Sequence, residues 1–465
     1  MNTKELAALG VPRGAVMELA KRTLATAAQR KVDKRTLHAT MQALLTDPAP
    51  FLEDAIFGTL ATAWRDRCAS PAVFHPRAQA APFQCWGEGL DDQSLEQMRN
   101  ACALPIAVRG ALMPDAHVGY GLPIGGVLAT RDAVIPYAVG VDIACRMKLT
   151  VLDLPATSLS TQQERFTRAL EEETSFGVGA TFRQRRAHAV MDQDWSFSPF
   201  VAHLKDKAWS QLGTSGSGNH FVEFGLLTVE QEAVGLATGV YLALLSHSGS
   251  RGTGNEIAGH YSKIAQEQHP DLPRELAHLA WLDCATHEGQ EYWQAMTLMG
   301  DYAAANHALI HRAIARHLGA AVLLDIENHH NYAWRETHDD AEVIVHRKGA
   351  TPAAAGILGI IPGSMATPGY VVRGKGSSAA LNSASHGAGR AMSRKKATET
   401  FTWASARQLL TEAGVTVLSA GVDEVPMVYK DIRQVMRAQR DLVEPLARFD
   451  PKLVKMAPAG ERAED

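Results

Sequence analysis

Apolar residues recur at helical spacing over roughly the first 75 positions of the chain. The stretches 15–20 and 37–45 follow this period, and the Asp-Pro-Ala-Pro sequence at 47–50 then interrupts it. A much longer helical pattern covers residues 288–318, which are rich in alanine and carry large apolar side chains at the same period. The pattern therefore predicts a helical N-terminal region and one long helix well inside the chain.

The amino-acid composition of the chain changes from about Pro82 onward. Glycine, serine, histidine and asparagine cluster between short β-branched runs such as 343–345 and 369–372, with helical segments between them. We predict an α+β fold with one large mixed α/β domain around central β-sheets. Its expected division is a helical N-terminal extension over 1–80, the large domain over 81–456 and a disordered tail over 457–465.

Charge and composition restrict the classes of partner. The 465 residues carry a formal net charge of −4, so no overall basic field attracts nucleic acid, and a nucleic-acid partner must be held by a local patch. The first fifty positions contain eight lysines and arginines but only four acidic residues. This excess fits either a solvated helix face or a small module that contacts RNA or a partner subunit, and both interpretations stay open.

The five cysteines are scattered and form no Cys-x-x-Cys pair, which favours a reducing compartment over a disulfide scaffold. Charges and a proline interrupt the first twenty-two residues, so we do not expect a signal peptide. No apolar run is long enough to predict a membrane span. We therefore expect a cytoplasmic protein with no membrane partner.

Asp142 and Cys145 lie three residues apart behind an apolar run, in the segment 139–147. Together they offer a hard oxygen and a soft sulfur to a borderline cation, although a capped turn with a packed thiol has the same appearance. Histidines in glycine-rich surroundings recur elsewhere, in segments 113–125, 213–223, 246–254, 328–332 and 383–394. Since each glycine costs roughly 1 kcal/mol of backbone entropy relative to alanine, so many such loops indicate a backbone that approaches a ligand such as phosphate. No Walker or Rossmann glycine pattern is present.

Taken in order, these motifs resemble the RtcB RNA ligases from about residue 84 to Lys455. The matching segments are 113–127, 139–147, 213–223, 246–254, 328–331, 346–352, 362–365, 383–394 and 423–431. The resemblance implies a GTP- and Mn²⁺-dependent ligase that joins RNA ending in a 2′,3′-cyclic phosphate or 3′-phosphate to RNA with a 5′-hydroxyl. It implies a substrate of tRNA halves or broken RNA, in tRNA splicing or RNA repair, and leaves open the need for an archease-like activator.

The resemblance also assigns roles to individual residues. His386 resembles the nucleophile that becomes guanylated, and Asp115 resembles the residue that orients it. The implied ligands of two manganese ions, with Cys145 bridging, are Asp142, Cys145, His220, His247 and His330. The implied GTP contacts are Asn219, Glu223, Asn331, Pro362, Gly363, Ser364, Gly387, Ala388, Gly389, Tyr429 and Lys455.

Some positions depart from the family pattern. Ala144 and Arg146 flank Cys145 where the family usually has glycines, and His307 stands where it usually has arginine. The candidates for binding the RNA backbone are Arg251, Arg347, Lys348, Arg390 and Arg394. For each of these, an ordinary ion pair is an equally good interpretation. Two other functions stay open: an RNA 3′-phosphate guanylylating or end-processing paralogue that does not seal, and a non-catalytic RNA-binding factor.

Overall fold

The computed structural model of the chain describes residues 1, 3–11, 15–69, 74 and 76–461. Four helices form the N-terminal region: α1 (Thr3–Ala8), α2 (Ala15–Gln29), α3 (Lys34–Thr46) and α4 (Gly58–Ala69). Their buried apolar side chains pack against one another, among them Leu6, Met17, Leu24, Met41 and Leu60. The predicted N-terminal helices are confirmed. The domain boundaries stay a prediction, and residues 462–465 of the predicted tail lie outside the described residues.

The rest of the described chain alternates strands and helices. The strands are β1 (Phe83–Cys85), β2 (Ala107–His117), β3 (Ile124–Thr130), β4 (Ala133–Val134), β5 (Arg146–Leu152), β6 (Phe221–Val229), β7 (Gly239–Ser248), β8 (Leu282–Asp283), β9 (Val322–His329), β10 (Asn331–His338), β11 (Ala341–Lys348), β12 (Ala350–Pro352), β13 (Leu358–Ile361), β14 (Gly369–Gly374), β15 (Ser383–Ser385), β16 (Thr416–Ser419) and β17 (Val443–Met456). The helices are α5 (Asp92–Cys102), α6 (Pro136–Val139), α7 (Ser158–Thr161), α8 (Gln163–Glu173), α9 (Pro199–Gln211), α10 (Arg251–Gln268), α11 (His287–His317), α12 (Arg394–Thr400), α13 (Trp403–Ala413) and α14 (Ile432–Ala438). The predicted α+β class is confirmed.

Two large sheets organise these elements. One has the strand order β1-β2-β3-β11-β10, and the other runs β13-β14-β17-β6-β7-β5-β9, with β16 paired to β17. The side-chain amide of Asn328 on β9 brackets the backbone of Ile360 on β13, accepting from its N–H at 2.9 Å and donating to its carbonyl at 3.4 Å. This contact links the two ends of the larger sheet, so that the sheet comes close to a closed barrel.

Helix α11 is the long helix that the sequence predicts, and the structure places it at His287–His317. Its buried residues Ile310 and Ile314 pack with Leu242 and Leu244 of β7. Along β7, side chains therefore alternate between α11 on one face and the opposite face of the sheet. Among the described residues, no helix combines the length and the apolar character that a membrane crossing requires.

Antiparallel pairing brings four strand ends to one edge of the larger sheet. In the register, Met147 near the start of β5 and Phe221 at the start of β6 both lie opposite His247 near the end of β7. Arg146 in turn lies opposite His329 at the end of β9. Residues that immediately precede or follow these strand ends are therefore brought close together, although they are far apart in the sequence.

Candidate functional site

Donor atoms of five side chains converge at this sheet edge. The Sγ of Cys145 lies 3.1 Å from Nε2 of His247 and 3.3 Å from Nε2 of His220. The Nε2 of His247 lies 3.2 Å from that of His330, and an oxygen of Asp142 lies 3.0 Å from that of His220. Two groups of three donors, Cys145–His247–His330 and Asp142–Cys145–His220, each fit around one ion, and Cys145 belongs to both.

The protonation of these groups suits a cation. The Nδ1 of His247 lies 3.0 Å from the carbonyl of Asn219 and donates to it, so its Nε2 carries the lone pair that faces the thiol. Burial lowers the pKa of His247 to about 3 and that of His330 well below its usual range. Neutral imidazoles are the form that binds metals. The residues present therefore fit a divalent ion.

Asp142 is held in place by the segment after β7. One carboxylate oxygen accepts a hydrogen bond from the backbone N–H of Ser250 at 3.0 Å. A Cβ on Gly249 would lie 2.1 Å from both carboxylate oxygens, so only glycine fits there. Burial opposes the ionisation of Asp142, but the hydrogen bond and charge of His220 outweigh it and lower the pKa of the carboxyl. The group is an anion at neutral pH.

His386 lies beside this cluster, with its ring centroid 4.9 Å from that of His330. Its Nδ1 lies 2.7 Å from a carboxylate oxygen of Asp115, which is fully buried and also accepts from the backbone N–H of His386 at 3.2 Å. Burial opposes the ionisation of Asp115, but the hydrogen bond and charge of His386 outweigh it and lower its pKa. An ionised acceptor at Nδ1 fixes the proton there and leaves the lone pair on Nε2.

A cleft of about 970 Å³ opens over the cluster and His386. All five predicted metal ligands line it, as does His386, while Asp115 supports His386 from behind. The predicted nucleotide contacts that line it are Asn219, Glu223, Asn331, Pro362, Gly363, Ser364, Gly387, Ala388, Gly389 and Tyr429. The structure thus brings together residues from nearly all the motifs that the sequence singled out.

Lys455 is the predicted contact that the structure does not bring into the cleft. Its Nζ donates to the carbonyls of Leu170 at 3.0 Å and Thr174 at 3.4 Å. Its neighbours Val454 and Met456 line the cleft instead. Successive residues of a strand face opposite sides, so Lys455 of β17 points away from its neighbours, and its contact with the base stays a prediction.

Three of the nucleotide candidates have distinct environments. Burial raises the pKa of Glu223 well above its usual range, and a ligand that offered N–H donors would favour the ionised carboxylate. The hydroxyl of Tyr429 donates to Glu424, and its ring lies 5.6 Å from the guanidinium carbon of Arg390. The side chain of Asn331 accepts from the N–H of Gly349 at 2.8 Å and donates to the carbonyl of Asp142 at 3.2 Å. Asn331 therefore braces the site.

The five candidates for binding RNA divide into two groups. Arg390, Arg394 and Lys348 line the cleft. Arg251 and Arg347 are only 2 % and 1 % exposed, so for these two the prediction of RNA contact is wrong. Arg251 donates to the carbonyl of Gly177 at 2.9 Å, and Arg347 pairs with Glu336 at 2.6 Å. Both hold protein segments together.

Arg146, next to the shared thiol, does not face the cleft. Its guanidinium pairs with Glu327 at 3.1 Å and donates to the carbonyl of Gly300 on α11 at 3.0 Å. The side chain is 6 % exposed and lies on the α11 side of the sheet. The departure from glycine at this position therefore leaves the cluster's donor atoms unobstructed.

Two cleft residues lie in segment 423–431 but were not chosen from the sequence. Glu424 is 2 % exposed and pairs with Arg390 at 3.3 Å and with Arg394. Lys430 donates to the carbonyl of Ala116 at 2.6 Å, beside Asp115. Their signal in the sequence is only the charge within a matched motif, which does not distinguish a ligand contact from a brace.

Comparison with known proteins identifies the family of the chain. A family profile described as "tRNA-splicing ligase RtcB" matches residues 97–204 and 193–456. The RNA-splicing ligase RtcB of Escherichia coli strain K12 is 33 % identical over 396 residues, covering 78 % of this chain and 94 % of that protein. The tRNA-splicing ligase RtcB of Nanoarchaeum equitans is 31 % identical over 441 residues, covering 78 % of this chain and 91 % of its own. The RNA-splicing ligase RtcB of Mycobacterium tuberculosis is 32 % identical over 433 residues, covering 76 % and 98 %. The chain belongs to the RtcB family of RNA-splicing ligases.

Proposed function

We propose that the chain is a GTP- and Mn²⁺-dependent RNA ligase that works through a guanylated His386. It would join RNA ends carrying a 2′,3′-cyclic phosphate or 3′-phosphate to 5′-hydroxyl ends of tRNA halves or broken RNA. The observation that carries this proposal is one imidazole, oriented by a buried carboxylate at 2.7 Å, beside a convergent His/Cys/Asp cluster in one cleft. The names of the relatives support RNA joining as the reaction.

The cluster has the donor chemistry for two manganese ions. Cys145, His247 and His330 would hold one ion, and Asp142, Cys145 and His220 the other, with the thiol shared. Imidazole nitrogen, carboxylate oxygen and one thiolate form a mixed set suited to a borderline divalent cation. When bound, such ions supply Lewis acidity and neutralise charge on the oxygens of a transferring phosphoryl group.

His386 supplies the nucleophile. Because Asp115 fixes its proton on Nδ1, its Nε2 lone pair is available to attack the α-phosphorus of GTP. The N–P bond forms as the bond from that phosphorus to the bridging oxygen breaks, and pyrophosphate leaves. The GMP then passes to the RNA 3′-phosphate, which regenerates the imidazole. The 5′-hydroxyl attacks the activated phosphate, losing its proton, and GMP departs. A 2′,3′-cyclic end first adds water to give the 3′-phosphate.

The cleft wall around His386 suits a nucleotide. The segments 362–364 and 387–389 face it with backbone and small side chains, which allow close approach to phosphate and ribose. Gly389 has a φ of +73°, and a Cβ there would lie 2.1 Å from the carbonyl of Asp115. We assign Asn219, Glu223 and Tyr429 to the nucleotide and leave Lys455 outside the site, because its ammonium is engaged elsewhere.

Incubation with labelled GTP and Mn²⁺ tests the mechanism. We expect the wild-type protein to form an acid-labile, alkali-stable GMP adduct, as a phosphoramidate does, and His386→Ala to form none. His203→Ala removes an exposed histidine of α9 and should label like wild type. Labelling that survives in His386→Ala, or absence of an adduct in the wild type, would contradict the proposal.

A joining assay separates the remaining alternatives. We expect sealing of a nicked anticodon-loop RNA that carries a 3′-phosphate and a 5′-hydroxyl. An adduct that activates the RNA 3′ end without a joined product would mean an end-processing enzyme. RNA binding without Mn²⁺ or GTP binding would mean a non-catalytic factor. Stimulation by an archease-like activator and a cytoplasmic location stay predictions, tested by adding the activator and by cell fractionation.

A further inference from the structure

Tyr120 lies at the rim of the cleft, in the loop after β2. It is 67 % exposed, more than any other large hydrophobic residue among the described residues, and its neighbour Val118 is 43 % exposed. Both line the cleft. Single exposed apolar residues are common on protein surfaces, so the exposure becomes informative only together with the contacts around it.

The backbone under Tyr120 is firmly held. The side chain of Gln97 accepts from the N–H of Gly119 at 3.1 Å and donates to its carbonyl at 2.5 Å. The ammonium of Lys348 donates to the carbonyl of Tyr120 itself at 2.5 Å. A loop pinned on both sides of an exposed ring presents that ring in a fixed place, which lowers the entropy cost of binding to it.

A second aromatic layer supports the ring. His278 meets Tyr120 edge to face, with centroids 5.7 Å apart, and meets Tyr137 at 4.5 Å. Tyr137 also lines the cleft. Burial and the charge of Lys348 lower the pKa of His278, so its ring is neutral at pH 7. The aromatic side chains form a platform with the exposed tyrosine on the solvent side.

The two tyrosines of the platform line the same cleft as the proposed nucleophile. A Cβ on Gly349, next to Lys348, would lie 3.2 Å from Cε1 of His386 and 2.3 Å from the side chain of Ile124. The start of β3, where this loop ends, and His386 therefore lie on either side of one glycine. The cleft of about 970 Å³ is at the upper end of the roughly 300–1,000 Å³ typical of small-ligand sites, which leaves room for an RNA end beside a nucleotide.

We propose that Tyr120 stacks on an unpaired base of the RNA strand close to the end that is joined. Aromatic faces hold any base, because every base has a π-face, and single-stranded RNA is the form whose bases are free to stack. This inference rests on the proposed function and adds a substrate-binding residue that contributes affinity with little sequence preference.

Fluorescence anisotropy with a short single-stranded RNA ending in a 3′-phosphate tests the proposal, with Mn²⁺ present and GTP absent. We expect Tyr120→Ala to bind about tenfold more weakly and Tyr120→Phe within about twofold of wild type, as for loss and retention of one stacking contact. Val240→Ala, at the opposite end of β7 from His247, removes a 52 % exposed side chain and should bind like wild type. Thermal unfolding of each variant checks that it is folded.

RNAs with one abasic position identify the contact. In the wild type, removal of one base within the last few nucleotides should weaken binding about tenfold, and in Tyr120→Ala the same removal should have no further effect. Equal binding by Tyr120→Ala and wild type, or an unchanged abasic penalty in the variant, would overturn the proposal. Loss of GMP-adduct formation in Tyr120→Ala would also overturn it. If the wild type binds RNA with this pattern but forms no adduct, the proposed function fails and the stacking role stands.

Discussion

Two groups of histidines lie on opposite faces of β7, and their surroundings differ. His247 faces the cleft with His220 and His330, whereas its neighbour Ser246 faces α11, where it contacts His307 and His311. All five histidines are at most 4 % exposed. The two groups of histidines are therefore equally buried, and they differ in their hydrogen-bond partners.

Behind the sheet, every ring nitrogen of the pair on α11 has a protein partner. His307 contacts the Ser246 hydroxyl at 2.6 Å and the Ser248 carbonyl at 3.1 Å. His311 contacts Ser246 at 2.7 Å and Thr150 at 2.6 Å. Buried polar groups that are fully hydrogen-bonded stabilise and specify a fold.

On the cleft side, the Nε2 of His247 lies 3.2 Å from the Nε2 of His330 and 3.1 Å from the thiol of Cys145. The Nδ1 atoms of His220 and of His330 are buried without a hydrogen-bond partner among the described residues. A fold gains nothing from burying lone pairs against lone pairs. The contrast shows how a structural histidine cluster differs from one arranged for a ligand.

Removal of the shared thiol is the strongest way to break this contrast. We expect Cys145→Ala to weaken Mn²⁺ binding by roughly 100-fold or more, since it removes a ligand common to both proposed ions. The measurement is the free Mn²⁺ signal in an EPR titration. Mn²⁺ binding with wild-type affinity in Cys145→Ala would place the metal elsewhere.

Substitution of a histidine on the α11 side of the sheet should lower stability and leave metal binding unchanged. We expect His311→Leu to lower the free energy of unfolding by about 1–3 kcal/mol, because it removes the buried imidazole that hydrogen-bonds the hydroxyls of both Ser246 and Thr150. Its Mn²⁺ stoichiometry should equal that of wild type. Urea unfolding and the EPR titration together check this, and a variant that kept full stability while losing metal would reverse the comparison.

Two lysines differ between the α11 side of the sheet and the cleft in the same way as the histidines do. Lys148, behind the sheet, pairs with Asp325 at 3.0 Å, whereas no carboxylate pairs with Lys348 among the described residues. Burial lowers the pKa of Lys348 to about 7. Below pH 7 Lys348 is protonated in both the folded and the unfolded protein, so the folded protein bears the full free-energy cost of burying the charge. From about pH 7 to 10 Lys348 is deprotonated in the folded protein but still protonated in the unfolded one, and the cost of burying the charge disappears.

Wild-type stability relative to Lys348→Met should therefore rise with pH over this window, by about 1 kcal/mol or more. Urea unfolding of both proteins at pH 6, 8 and 10 gives this difference. A difference that stays constant, or that falls as the pH rises, would mean that Lys348 keeps its charge when folded.

The smallest expected effect concerns backbone strain at the cleft edge. Ala144 has a φ of +57°, a left-handed conformation that costs an alanine about 1–2 kcal/mol. Glycine relieves this but loses more entropy on folding, so Ala144→Gly should stabilise the protein by about 0.5 kcal/mol. The midpoint of urea unfolding reports the change. Destabilisation would show that the alanine methyl packs well enough to offset the strain.

Much of the candidate site could be predicted from the sequence, because the resemblance to the RtcB ligases assigned roles to residues that the structure brings into one cleft. Asp142 and Cys145 are close in the chain, and antiparallel pairing explains how His247 and His330 join them. The long helix followed from the hydrophobic period, and the α+β class followed from that period together with the short β-branched runs after Pro82. The division into domains stays a prediction.

The sequence could not show which face of a strand a side chain occupies. Arg347 and Lys348 are neighbours on β11, yet the first is locked onto Glu336 and the second lines the cleft. On β17, likewise, Lys455 donates to the carbonyl of Leu170 whereas its neighbour Met456 lines the cleft. Such choices depend on the partner strand and on buried counter-ions that lie far away in the sequence.

The central claim is that five converging side chains hold two metal ions beside His386. Anomalous diffraction at the manganese edge, from crystals soaked in Mn²⁺, tests it directly. The account predicts two peaks at the sheet edge, one among Cys145, His247 and His330 and one among Asp142, Cys145 and His220, with the sulfur between them. No peak within coordination distance of Cys145, after a soak that places manganese elsewhere in the crystal, would contradict it.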